Sequence, residues 1–112
     1  MEPSPAMMSV AALRGVLATS YRTLVIDVRS AAEFAAGHVP GAQHIPTDEL
    51  EQRLAELPPD RPIITYCTMQ HPGNSRGERA AALLRRSGFD ARVLDGGLPA
   101  WMAEHQPIAG GR

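Results

Sequence analysis

Three residues able to carry chemistry fall at the carboxyl ends of strand-like runs in this chain: Asp27, Cys67 and Asp95. In an open α/β sheet, ligands bind at the carboxyl ends of the strands. Cys67 stands out because the segment after it has the marks of an anion cradle. It closes the run Pro62-Ile-Ile-Thr-Tyr-Cys67, and a loop then leads into Ser75-Arg76-Gly77-Glu78. A serine followed three residues later by an acid marks a helix start. The N–H groups of a first helical turn and the positive end of the helix dipole favour an anion there. Gly73 and Gly77 are read as turning the backbone so that successive amides point inward as a nest. Arg76 adds a fixed charge with a planar fork of donors. Such surroundings lower a thiol's pKa from its ordinary value of about 8.5. Glu78 opposes this in part and is read as a backbone cap.

The cradle suits a thiolate, a persulfide or a bound oxyanion, and by itself does not choose among them. The plain alternative is a structural cysteine buried at a strand end. Asp27 and Arg29 are read as supporting residues that satisfy backbone beside a cap at Ser30. His38 is expected to fix a turn by hydrogen bonding. His44 and His105 lack partners at metal-ligand spacing and are read as surface residues. His71 in the loop either touches substrate or is solvated. Trp101 is expected to pack the last helix onto the sheet. Arg79, Arg85 and Arg86 read better as a solvated helix face than as a basic rim.

The 112 residues suit one domain, able to bury a core without staples. The division expected is a flexible N-terminus over 1–8, a domain over 9–107 and a flexible tail over 108–112. With aromatics at only 4%, the core must rest on Ala, Leu, Val and Ile. All 11 basic residues are arginine and the net charge is -1, so no basic excess exists to neutralise phosphates and no nucleic-acid partner is expected. No apolar run approaches membrane-spanning length and the first residues lack a signal peptide's pattern. A single cysteine forms no internal disulfide. These features point to a reducing, cytoplasmic setting, with no membrane partner and a monomer.

Strand and helix signals alternate along the chain. Strands are expected at 23–28, 42–45, 62–67 and 91–94. Between and after them, helices are expected from Ser9 through Leu17, at 31–36 with a Ser30–Glu33 capping box, and at 48–57 capped by Thr47. Further helices are expected at 76–87, stopped by Gly88, and at 98–105. Such alternation implies an α/β fold whose sheet is mostly parallel, with helices on both faces.

Ile26-Asp27-Val28-Arg29, Glu33-Phe34, Gly37-His38-Val39-Pro40-Gly41-Ala42 and Ile45-Pro46 form one set of signatures. Tyr66-Cys67 with Arg76 forms a second. Gly88-Phe89, Val93-Leu94-Asp95-Gly96-Gly97 and Ala100-Trp101 form a third. In this order and spacing, over roughly residues 9–105, the chain resembles a single-domain rhodanese, the sulfurtransferase homology domain. The resemblance implies a rhodanese-like, open five-stranded sheet and a Cys67 that takes sulfane sulfur from thiosulfate or a low-molecular-weight persulfide. Cys67 would pass it to cyanide, a thiol or a protein acceptor, without metal or organic cofactor. The loop amides, over Thr68, Met69, Gln70, His71, Pro72, Gly73, Asn74 and Ser75, would hold the persulfide, and Arg76 stands at the family's loop arginine.

The chain departs from the family in one respect. Eight residues, Thr68 to Ser75, separate Cys67 from Arg76, where the family's usual loop has four. A longer loop implies a wider or reshaped mouth. It keeps two other expectations in play: a non-catalytic persulfide-sensing or binding domain, and a phosphatase or arsenate reductase of the same fold.

Overall fold

The computed structural model describes residues 7–19, 22–68 and 75–110. The strands are β1 (Met7–Met8), β2 (Leu24–Asp27), β3 (Gln43–His44), β4 (Ile63–Tyr66) and β5 (Ala91–Leu94). The helices are α1 (Val10–Thr19), α2 (Ala31–Ala36), α3 (Thr47–Leu50), α4 (Arg76–Arg86) and α5 (Gly97–Ala103). All strand pairings are parallel, in the order β1-β5-β4-β2-β3. The fold is therefore α/β, a five-stranded parallel sheet with helices.

Alternate residues of the strands serve two cores, as a sheet buried on both faces requires. Leu24, Ile26, Ile63, Cys67, Ala91 and Val93 join Leu50 of α3 and Ala80, Ala81 and Leu84 of α4. Val25, Ile64, Tyr66 and Leu94 join Val10 and Leu13 of α1 and Leu98 and Trp101 of α5. β4 lies at the middle of the sheet, so Cys67 follows a strand with pairing partners on both sides.

The structure corrects the sequence-based expectations at several ends. Met7 and Met8, placed in a loose N-terminal segment, pair with Val93 and Leu94 and supply the edge strand. Ala109, placed in a loose tail, exchanges two backbone hydrogen bonds with His38, at 3.0 and 2.8 Å. Thr47 does not cap α3: it is the first residue of the helix, Pro46 takes the cap position without a side-chain bond, and the Thr47 N–H goes to the Val28 carbonyl (3.2 Å). The helix expected over 48–57 tightens after Leu50 into a 3-10 helix, Glu51–Glu56. Leu57 is then extended (φ -96°, ψ 140°), the conformation a following proline favours. The last helix ends at Ala103 rather than at His105.

Candidate active site

Cys67 follows the last residue of β4 and is 2% exposed, packed into the core beneath α4. Its carbonyl accepts the Leu98 N–H from the first turn of α5 (2.9 Å). The start of α4 is built by a complete capping box. Ser75 Oγ accepts the Glu78 N–H at 3.1 Å and Glu78 Oε1 accepts the Ser75 N–H at 2.8 Å. Glu78 is thus the backbone cap that was expected. Gly77 has a different role from the one expected. It takes no positive φ and lies within α4. A Cβ there would stand 2.9 Å from Val93 Cγ2 and 3.3 Å from Tyr66 Cα, so its missing side chain lets α4 sit directly on β4 and β5. The Thr65 hydroxyl fastens this contact by donating to the Gly77 carbonyl at 2.7 Å.

Arg76, expected to aim its fork at a bound anion, is engaged with a carboxylate of the protein itself. Its Nη1 and Nη2 donate to Glu33 Oε1 and Oε2 at 2.8 and 3.1 Å, and Nη2 also donates to Thr68 Oγ1 at 3.2 Å. Glu33 belongs to α2, where Ser30 Oγ accepts the Glu33 N–H and Glu33 Oε1 accepts the Ser30 N–H (2.9 Å). The Arg76 fork, with help from the Ser30 backbone and against the cost of burial, holds the Glu33 carboxyl down at about 2. In turn the Glu33 hydrogen bonds raise the Arg76 pKa, against the cost of burial. The sequence marked Glu33 as a helix cap and as part of a family signature, not as the partner of Arg76. Its second partner lies 43 residues away, and no local spacing announces it.

Asp27 and Arg29 form a buried pair at the end of β2. Arg29 Nε donates to both carboxylate oxygens (2.9 and 3.1 Å) and Nη2 donates to Oδ2 at 2.6 Å. The same Nη2 donates to the Gly37 carbonyl at 2.7 Å, which anchors the segment leading into Val39. Burial opposes the Arg29 charge, yet Asp27 holds its pKa above the ordinary value. Tyr66, opposite Asp27 in the sheet, accepts the Val39 N–H on its hydroxyl at 2.9 Å. Burial drives the Tyr66 pKa upward. These groups brace the floor of the site from the β2 side.

His38 has its Nδ1 2.8 Å from the Phe34 carbonyl and stacks on the Phe34 ring at 3.7 Å. His44, expected on the surface, is half-buried: it stacks on Phe34 at 4.8 Å, with Nε2 2.7 Å from the Arg29 carbonyl. His105 is exposed, as expected. Of the expected loop residues, Thr68, Ser75 and Arg76 stand beside Cys67 or at the start of α4. Met69, Gln70, His71, Pro72, Gly73 and Asn74 lie outside the described residues. Among the described residues, no group of three or more His, Cys, Asp or Glu is placed to hold a metal ion. No helix among them is long and apolar enough to cross a membrane.

The family model of the rhodanese-like domain matches residues 11–104. The chain belongs to the rhodanese-like family. This rhodanese-like chain is 35% identical over 94 residues to a sulfurtransferase of Allochromatium vinosum, covering 82% of its own length and 83% of the relative's. It is 38% identical over 84 residues to an HTH-type transcriptional regulator of Mycobacterium tuberculosis. That match takes in 75% of the present chain but spans only 36% of the regulator. Among solved structures, a rhodanese-related protein of Thermoplasma volcanium superposes with a TM-score of 0.80. It covers 92% of this chain and 96% of that one at 23% identity, a likeness of fold.

Proposed function

We propose that this rhodanese-like domain is a sulfurtransferase that carries sulfur as a persulfide on Cys67. The observation that carries the reading is the placement of its single cysteine: at the end of the central strand, below the capped start of α4 and next to Thr68, whose hydroxyl accepts a hydrogen bond from Arg76. The sulfurtransferase relative supports the class of reaction. Chemically this is covalent catalysis by an activated nucleophile, in two steps. The Cys67 thiolate attacks the outer sulfur of thiosulfate; a new S–S bond forms, the old one breaks, and sulfite leaves with its electron pair. Cyanide or a thiolate then attacks the terminal sulfur, and Cys67 departs as a thiolate. A persulfide donor serves the first step equally, with a thiolate leaving. Burial of Cys67 keeps the loaded sulfur away from bulk water between the steps. The proposed setting is the cytoplasm, with a small sulfur donor, a thiol, cyanide or protein acceptor, and a monomeric chain.

Incubation with thiosulfate or glutathione persulfide should leave the intact protein one sulfur heavier, and Cys67→Ala should abolish the gain. Absence of the adduct with every donor tried removes the proposal.

A second reading, that the domain senses sulfur rather than turning it over, draws on the burial of Cys67 and on the regulator relative. It predicts an adduct that forms but is not passed on to cyanide, glutathione or thioredoxin. Multiple turnovers with any of these acceptors exclude it.

A further inference from the structure

We propose that Glu33 sets donor specificity at Cys67: by occupying the Arg76 fork it selects against small dianionic donors such as thiosulfate and favours donors that present sulfur as a persulfide. This rests on the sulfurtransferase reading. A guanidinium near the reacting cysteine is a natural receptor for a dianion, because its planar fork matches two anionic oxygens. Here that fork already holds two carboxylate oxygens, at 2.8 and 3.1 Å. Glu33 cannot swing aside without cost, since its Oε1 also accepts the Ser30 N–H and closes the α2 capping box. Arg76 is tethered as well, through Thr68, the residue next to Cys67. A dianion arriving here meets a neutralised arginine and a fully ionised carboxylate. It must displace Glu33 or accept like-charge repulsion. A persulfide donor concentrates less charge on its reacting end and loses less by this arrangement.

Each side chain is about one-third exposed, at 32% for Arg76 and 34% for Glu33, so the pair stands where a donor can compete for it and water screens it. The effect of releasing Arg76 is therefore modest, roughly threefold to tenfold.

Glu33→Gln is the informative substitution, because glutamine still serves a capping box but is a poor partner for the fork. The measurement is kcat/KM for thiosulfate divided by kcat/KM for glutathione persulfide. In Glu33→Gln this ratio should rise roughly threefold to tenfold, chiefly through a lower KM for thiosulfate. The rise should vanish in Glu33→Gln/Arg76→Met. Ser30→Ala, which weakens the α2 cap without releasing Arg76, should leave the ratio unchanged. Loading of Cys67 with an unchanged ratio in Glu33→Gln overturns the role of Glu33 alone. An equal rise in Ser30→Ala also overturns it, because the effect would then come from helix stability. Failure of every donor to load Cys67 in any variant instead overturns the sulfurtransferase reading, and this proposal falls with it.

Discussion

The Thr65 hydroxyl donates a 2.7 Å hydrogen bond to the carbonyl of Gly77, twelve residues further along, and both residues are buried. The bond ties the helix that follows Cys67 to the strand that precedes it. Thr65→Val keeps the shape and removes the donor, leaving a buried carbonyl short of a partner. The expected loss is about 1–2 kcal/mol in urea unfolding, with slower sulfur loading of Cys67 at saturating donor.

Gly77→Ala tests the close approach of α4. Its new methyl would stand 2.9 Å from Val93 Cγ2, in a core with no slack, and should cost about 1–3 kcal/mol. A methyl group added at Gly15 in α1 would meet nothing within 4 Å, so Gly15→Ala should stabilise by about 0.5–1 kcal/mol. Opposite shifts of the two urea midpoints are the expected outcome; similar shifts would show that α4 does not depend on the contact.

The Asp27–Arg29 pair is held below 5% exposure on both sides. Removing one partner strands a buried charge, and Asp27→Ala should cost about 3–5 kcal/mol. Arg29→Ala also orphans the Gly37 carbonyl and should loosen the backbone from Gly37 to Val39. Faster amide exchange there than in β5 is the corresponding readout.

Acid should weaken the link between α2 and α4. Folding lowers the Glu33 pKa from 4.5 to about 2, so between these values the unfolded chain binds more protons than the folded one. The stability Glu33 confers is complete above pH 4.5 and disappears as the pH falls through about 2. With a side chain one-third exposed, about 1 kcal/mol remains after screening. The stability difference between wild type and Glu33→Gln should shrink across this window; a constant difference counts against the pair.

Much of the fold was legible locally. The runs ending at Asp27 and Cys67 are β-branched and apolar over consecutive positions, as suits a strand covered on both faces, while the run ending at Leu94 carries Arg92 at an exposed position. Ser30 and Ser75, each with an acid three residues on, marked helix starts that the structure bears out as capping boxes. These signals act within one turn or one strand, so composition and spacing carry them. Met7–Met8 was missed because a two-residue edge strand has no pattern of its own and exists through its pairing with β5.

The amino-acid sequence by itself determined that one cysteine closes a buried strand and that a capped helix follows it. Only the tertiary structure decided what surrounds that cysteine. Glu33 meets Arg76 because parallel β2 and β4 are adjacent and present the helices after them at the same end of the sheet. Gly77 proved to be a contact surface rather than a turn, since its neighbours Val93 and Tyr66 come from other elements. An ion pair across 43 residues and a helix resting on two strands depend on distances in space, and short-range spacing holds no record of them.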